Sequence, residues 1–353
     1  MRYFPAEFEP QSFVQLIFPH PQSDWAAYLE EARHCFVNIA NAVARYQPCL
    51  LVCDDVDRVK SYFSSHENLI FVPYQSDDTW ARDCSCLCVI DEEEDEALLL
   101  DFTFTGWGGK FDASRDNAMS STIAHVYGAP MKKIDLILEG GGVESNGMGS
   151  LLTTAECLLN PNRNAHLSKE QTEALLKKEF GVEQILWLNH GYLAGDDTDS
   201  HIDTLARFID TNTIMYVQCN DKNDEHYEEL KKMEEELQAL RDLDGEPFKL
   251  IALPMTEAHF YDNERLPATY ANFLIINDAV LLPVYNDPHD AQAIAICERA
   301  FRGRTIVPID CSVLIRQHGS LHCVTMQFPE EVGLRVGSPS PIKNSNSAII
   351  AHS

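Results

Sequence analysis

Five polar or reactive residues stand immediately ahead of apolar, strand-like runs, and their spacing constrains the fold more than any other feature. They are Asp83 (RDCSCLCVI), Glu139 (EGGGVESNGMGSLLTT), His201 (HIDTLARFI), Asn272 (NFLIINDAVLLPV) and Cys323 (HCVTMQF), at intervals of 56, 62, 71 and 51 residues. Intervals of this order point to one supersecondary unit used five times around an axis, each unit delivering a strand end to a common centre. The regularity lies in spacing and placement and not in matching sequence. A doubly wound sheet would also give alternating elements.

Between these points helical and strand patterns alternate, which makes the chain α/β. An amphipathic run over 24–46 leads into the apolar CLLVC of 49–53, and NLIFVPY at 68–74 reads as the next strand. Ser168 with Gln171 forms a capping box that opens a helix stopping at Gly181, followed by the strand ILWLN at 185–189. Residues 222–243 read as a charged helix. The acidic run DEEEDE (91–96) joins two strand-like runs and reads as a solvated hairpin connection. No low-complexity linker divides residues 1–330, so one domain is expected there, with 331–353 as a Ser-, Pro- and Asn-rich tail.

Composition narrows the function. With 353 residues, 45% of them hydrophobic, the chain can bury a sizeable core. A net charge of −28 argues against nucleic acid and anionic membrane surfaces and favours a cationic ligand, although acidity for solubility accounts for much of it. The N-terminus lacks the apolar run of a signal peptide, and a cytoplasmic protein is the default. Eleven cysteines in no regular framework read as mostly free thiols. Cys84, Cys86 and Cys88 alternate as they would along one face of a strand, so buried packing is favoured over metal binding.

Four motifs carry candidate chemistry. In HGSLHCVTMQFP a thiol stands between a turn and a strand; a thiolate is the best protein nucleophile at neutral pH, yet a free cysteine there is more often a small core residue. His201 and Asp203 in DDTDSHIDTLARF sit two apart and would share a strand face, suiting acid/base work beside an anion; no third ligand at local spacing completes a metal site. In DDTWARD, Asp83 could bind a planar cation bidentately and Trp80 offer a cation–π face, against a surface Arg82–Asp83 pair and a core tryptophan. Glu139 with Gly140, Gly141 and Gly142 lacks the endings of phosphate or dinucleotide loops and by default is a tight turn. Each has a bland reading; together they match a guanidinium, which wants carboxylates on its edges, a thiolate beneath its carbon and a histidine to handle protons.

The chain resembles the agmatine deiminase and bacterial-type peptidylarginine deiminase family, within the guanidino-group modifying enzymes. The resemblance rests on FPAEFEP (4–10), TWARD (79–83), FTGWGGKF (104–111), LEGGGVESNGMGSLLTTAECLLNPNRN (138–164), DDTDSHIDTLARF (196–208), ATYANF (268–273) and HCVTMQFP (322–329), and covers roughly residues 1–330. It implies a five-bladed α/β propeller (pentein) with pseudo-fivefold symmetry and the active site on the axis. It also implies Cys323 as nucleophile, His201 as acid/base, Asp83 and Asp203 as guanidinium ligands, and Trp80, Trp107, Glu139 and Asn272 shaping the pocket. Metal and organic cofactors are not expected.

The activity so implied is hydrolysis of agmatine to N-carbamoylputrescine and ammonia through a covalent thiouronium. Deimination of peptidyl arginine or another guanidino compound is the nearest rival; its carboxylate or peptide terminus would need a basic partner, with Arg82, Arg163 and Arg316 nearby. A rival of another class is a non-catalytic binder of cationic amines, against which the retention of both Cys323 and His201 counts. The partner expected is a small cationic guanidino compound, and a homo-oligomer is left open. Departures from the family pattern fall on the walls: Arg316, Gln317 and His318 replace a glycine-rich run, Ser200 stands for glycine before the histidine, and Phe8 and Phe18 replace tryptophans.

Overall fold

The computed structural model describes residues 2–91, 93–94 and 96–335. Five sheets in it follow one plan, an antiparallel pair to which a third strand is added parallel to the second. They are Leu87–Asp91, Glu96–Thr103 and Met131–Ile137; Val143–Ser145, Ser150–Thr154 and Gln184–Leu188; Ala206–Asp210, Thr213–Gln218 and Lys249–Pro254; and Leu274–Ile276, Ala279–Val284 and Thr305–Asp310. The fifth combines Thr325–Pro329 with Gln11–Ile17 and Cys49–Cys53, then adds Leu69–Pro73, so it joins the two ends of the chain.

A parallel return needs a crossover, and each sheet has a helix to make it. These are Ser114–Thr122, Lys169–Phe180, Tyr227–Ala239, Asp290–Ala300 and Leu29–Ala44. Strands such as Cys49–Cys53 are buried along their whole length, which is why they read as unbroken apolar runs and not as alternation. The helix Lys169–Phe180 carries the expected capping box, Ser168 with Gln171, and ends on Gly181 at φ 72°, a left-handed conformation that glycine takes freely. The hairpin across the acidic run is present, with Asp91 opposite Glu96.

Several local expectations shift. The amphipathic run over 24–46 is broken at Tyr28 (φ −141°) into a 3-10 turn, Asp24–Tyr28, and the helix Leu29–Ala44. The charged helix is shorter than 222–243: Asp224 accepts from the His226 backbone N–H in the turn before it, and Leu240 is already extended. Cys84, Cys86 and Cys88 do not share a strand, because Ala81–Cys84 forms one helical turn closed by Cys84 N–H on the Trp80 carbonyl and the strand starts at Leu87. All eleven cysteines are free and buried. Of the expected tail, Val332 is buried, Leu334 bridges to Tyr127, and the Arg335 N–H reaches the Val126 carbonyl; 336–353 lie outside the described residues.

Candidate active site

The residues that open the five sheets meet at one buried centre. Asp83 lies on the helical turn before Leu87–Asp91, Glu139 precedes the turn Gly140–Gly142, His201 caps the 3-10 turn Ile202–Thr204, and Asn272 and Cys323 each stand two residues ahead of a strand. His201 and Asp203 therefore do not share a strand face, contrary to expectation; a tight turn brings them to the centre instead. Gly141 marks the meeting point. A Cβ there would lie 2.6 Å from His201 Nδ1, 2.9 Å from Asp83 Oδ1 and 3.2 Å from Asp203 Oδ2, so only glycine fits among them.

Asn272 builds the nucleophile loop. Its Oδ1 accepts from the backbone N–H of His322 (2.9 Å) and of Cys323 (3.3 Å), and its Nδ2 donates to the Asp203 carbonyl at 3.2 Å. Cys323 Sγ is thereby held 3.4 Å from Asn272 Oδ1 and 3.8 Å from Asp203 Oδ2. Burial, with Asp203 and Asp83 beside it, pushes the thiol well above its ordinary pKa. The site with nothing bound thus favours the protonated thiol, and a cation placed between the two carboxylates would favour the thiolate.

His201 is fully buried, and neither ring nitrogen has a hydrogen-bond partner among the described residues. Nδ1 stands 3.6 Å from Asp83 Oδ1 and Nε2 stands 3.8 Å from Glu139 Oε2. Burial works against the imidazolium, but Asp83, Cys157 and Glu139 outweigh it and hold the pKa well above the ordinary value. Asp83 accepts from the Gly141 N–H through Oδ1 and from Trp107 Nε1 through Oδ2, both at 2.9 Å. Burial raises its pKa, with the Asp203 charge adding to the effect. For Asp203 burial is overcome by the His322 hydrogen bond and charge, which hold the carboxyl below its ordinary range.

Above the thiol opens a cavity of about 450 Å³ whose lining includes Cys323, Asp83, Trp80, Trp107 and His318. Seven carboxylates line it: Asp24, Asp77, Asp78, Asp83, Asp112, Asp116 and Asp197. Among the described residues Arg115 is the only lysine or arginine of the lining, and Asp77 pairs with it at 2.7 Å. Trp80 and Trp107 meet edge to face at 6.2 Å, and each gives its indole N–H to a different aspartate, Trp80 to Asp78 (2.8 Å) and Trp107 to Asp83. Gly319 passes so close to Trp80 that a Cβ would fall 2.1 Å from the ring. Glu139, Asn272, His201 and Asp203 are fully buried beneath this surface, with His201 beside Asp83 and Asp203 beside Cys323.

None of the three arginines expected near the substrate's far end lines this cavity, and Arg316 lines only the groove beside its mouth. Arg82 is buried against Glu7 and Gln327, Arg163 is buried against Glu139 and Asp199, and Arg316 stands over the rings of Tyr28 and Tyr261, 5.3 Å from each, and pairs with Glu31. Donor atoms of Glu139, Cys157 and His201 come within 4.8 Å of one another. That group suits a metal poorly, since both Glu139 oxygens already accept from the Arg163 guanidinium. Sequence reasoning missed Glu7, Arg207 and His322 behind the site and Asp78 and Asp116 in front of it. Glu7 falls inside the FPAEFEP motif, but nothing local pairs it with His322, 315 positions away.

The chain matches the family model described as Porphyromonas-type peptidyl-arginine deiminase over residues 3–329. It belongs to that family. Every residue of the site described above falls within the family match. Among solved structures, a Porphyromonas gingivalis chain described as "Putative Arginine Deiminase" is 46% identical, with a TM-score of 0.90 over 94% of this chain and 99% of that one. A substrate-bound cysteine-to-serine agmatine deiminase from C. jejuni is 40% identical, with a TM-score of 0.87 over 93% and 96%. The agmatine deiminase of Stutzerimonas stutzeri is 31% identical over 93% of this chain and 95% of its own. Like these relatives, the family member described here is a hydrolase acting on a guanidino C–N bond. None of its helices, among the described residues, is long and apolar enough to cross a membrane.

Proposed function

We propose that the protein hydrolyses agmatine to N-carbamoylputrescine and ammonia, in a single catalytic unit over residues 1–330. The observation that carries this reading is the convergence of the Cys323 thiol, two carboxylates and an imidazole with no hydrogen-bond partner among the described residues at the foot of an acid-lined cavity. The five sheets of one plan support a five-bladed propeller, each blade opening on one residue of the centre.

In the proposed reaction Asp83 and Asp203 bind the edges of the guanidinium, whose charge stabilises the Cys323 thiolate as the thiol proton passes to solvent. Sulfur adds to the guanidinium carbon. His201 gives its proton to one amino nitrogen, the C–N bond breaks, and ammonia leaves a cationic thiouronium on Cys323. The now neutral His201 takes a proton from water, whose oxygen attacks the same carbon. Collapse breaks the C–S bond and returns the thiolate; the remaining oxygen-bound proton leaves, and ammonia ends as ammonium. Trp80 and Trp107 exclude water along the chain of methylenes, Glu139 holds His201 charged, and Asn272 sets the position of sulfur.

The far end of the cavity supports agmatine over arginine. Asp83 and Asp78 flank the paired indoles, so a linear substrate with a guanidinium at one end and an ammonium at the other places a cation against each carboxylate. Asp78 Oδ1 is buried with no hydrogen-bond partner among the described residues, and burial together with Asp24 and Asp116 raises its pKa well above the ordinary range, as expected for an anion awaiting a cation. A free α-carboxylate placed at Asp78 would face the carboxylates of Asp24, Asp78 and Asp116. The second reading, deimination of peptidyl arginine, is favoured by a groove adjoining the mouth at Asp24, Gln317 and His318 and continuing over Tyr28 and Tyr261. Ammonia and ureido product should be measured with agmatine, arginine and an arginine peptide. Turnover of agmatine far above the other two is expected, and no turnover of any of them removes the deiminase reading.

A further inference from the structure

His322 stands next to the nucleophile and has no part in the reaction just outlined, yet both of its ring nitrogens are held by buried carboxylates. Its Nδ1 lies 2.7 Å from Asp203 Oδ2 and its Nε2 lies 2.7 Å from Glu7 Oε2, and the ring is buried. A carboxylate oxygen only accepts, so with Glu7 and Asp203 both held below the ordinary carboxyl range each ring nitrogen faces an acceptor, the geometry of an imidazolium bridging two anions. Glu7 is itself fixed: Arg207 Nη2 pairs with it at 2.9 Å and Arg82 Nη2 approaches at 3.4 Å, while Arg207 Nε is held by Glu144 Oε2 at 2.8 Å. Burial would raise the Glu7 carboxyl, but Arg207 and His322 together hold it well below its ordinary range. The cluster of Glu7, Glu144, Asp203, Arg82, Arg207 and His322 has three formal charges of each sign.

This arrangement treats the two oxygens of Asp203 differently. Oδ2 is tied to His322, whereas Oδ1 is buried with no hydrogen-bond partner among the described residues. A carboxylate left to itself in such a place would rotate, or take up a proton, to satisfy both oxygens. We infer that His322 is the positioning residue for Asp203: by holding Oδ2 against an imidazolium anchored on Glu7, it keeps the carboxylate ionised and leaves Oδ1 free to receive an N–H of the guanidinium over Cys323. The inference rests on the deiminase reading and assigns to the residue before the nucleophile a role in binding charge.

The test compares two alkylating reagents of equal shape. Cys323 sulfur displaces chloride from either 2-chloroacetamidine, a cation, or 2-chloroacetamide, its neutral isostere, forming a C–S bond and releasing the thiol proton and chloride. Only the cation uses Asp203. The ratio of the two inactivation rates therefore reads Asp203 presentation apart from thiol access or general stability. His322→Asn keeps a donor near the Nδ1 position, and His322→Gln keeps one only near Nε2, toward Glu7. The ratio should fall about tenfold or more in His322→Gln, the effect of one hydrogen bond to a charged group, and be largely restored in His322→Asn.

A ratio unchanged in His322→Gln, or lowered equally in both variants, overturns the inference. Should His322→Gln fail to fold because Glu7 is left uncompensated, the Glu7→Gln/His322→Gln double variant removes that charge and is read in the same way. Turnover of agmatine by the unaltered protein is measured alongside. Its absence refutes the deiminase reading, whereas a normal turnover with an unresponsive ratio refutes only the role given to His322.

Discussion

Nδ1 of His201 stands 3.6 Å from Oδ1 of Asp83, near enough to feel its charge and too far to hydrogen-bond it. The gap leaves both groups available to a substrate: the carboxylate for a guanidinium edge, the imidazolium for the nitrogen that departs. Asp83→Asn keeps the shape and removes the charge. It should lower kcat/KM for agmatine by about 10²-fold or more, the scale of losing one preorganised electrostatic contact, in steady-state ammonia release.

The raised pKa of Cys323 has a sign that can be checked. Burial and two nearby carboxylates disfavour the thiolate, so at neutral pH the empty site contains thiol. Inactivation by a neutral alkylating agent should be slow at pH 7 and climb as pH rises, with a midpoint above that of a free cysteine. A midpoint at or below the free-thiol value would mean that the unliganded protein already holds a thiolate.

Asp78 reads the far end of the substrate. Asp78→Asn should raise KM for agmatine by about tenfold or more, the value of one contact to a charged group, while kcat changes less. Butylguanidine, which lacks the distal ammonium, should respond little. Equal losses with both substrates would place Asp78 in the support of Trp80 through their 2.8 Å hydrogen bond and not in recognition.

Gly319 has no room for a side chain, since a Cβ would meet the Trp80 ring at 2.1 Å. Gly319→Ala should displace Trp80 or the nucleophile loop at a cost of about 1–3 kcal/mol, the range for overpacking. Denaturant unfolding would report that loss, and turnover should fall further than stability alone explains, because Gly319 lies four residues before Cys323.

Much of this was legible in the sequence because it depends on local pattern. The alternation of elements, the capping box at Ser168 and the five residues ahead of the sheets all follow from short-range periodicity, and the four residues given reaction roles do lie together. The local reasons were sometimes different: His201 and Asp203 meet through a 3-10 turn, and Cys84 ends a helical turn instead of sharing a strand with Cys88. What stayed hidden depends on distant pairing. Asp116 looks like a surface residue until the helix Ser114–Thr122 brings its carboxylate to the backbone N–H groups of Asp77 and Asp78. The Glu7–His322–Asp203 bridge joins the first motif to the last across the closing sheet, and no window of sequence contains it.

The central claim is that Cys323 carries the guanidino carbon through the reaction. Protein quenched with acid during turnover of agmatine and analysed by intact-mass and peptide mass spectrometry tests it directly. A species heavier by agmatine less ammonia, located on Cys323 and absent together with all turnover from Cys323→Ser, is predicted. An adduct on another cysteine, or a Cys323→Ser variant that still releases ammonia at the full rate, would contradict it.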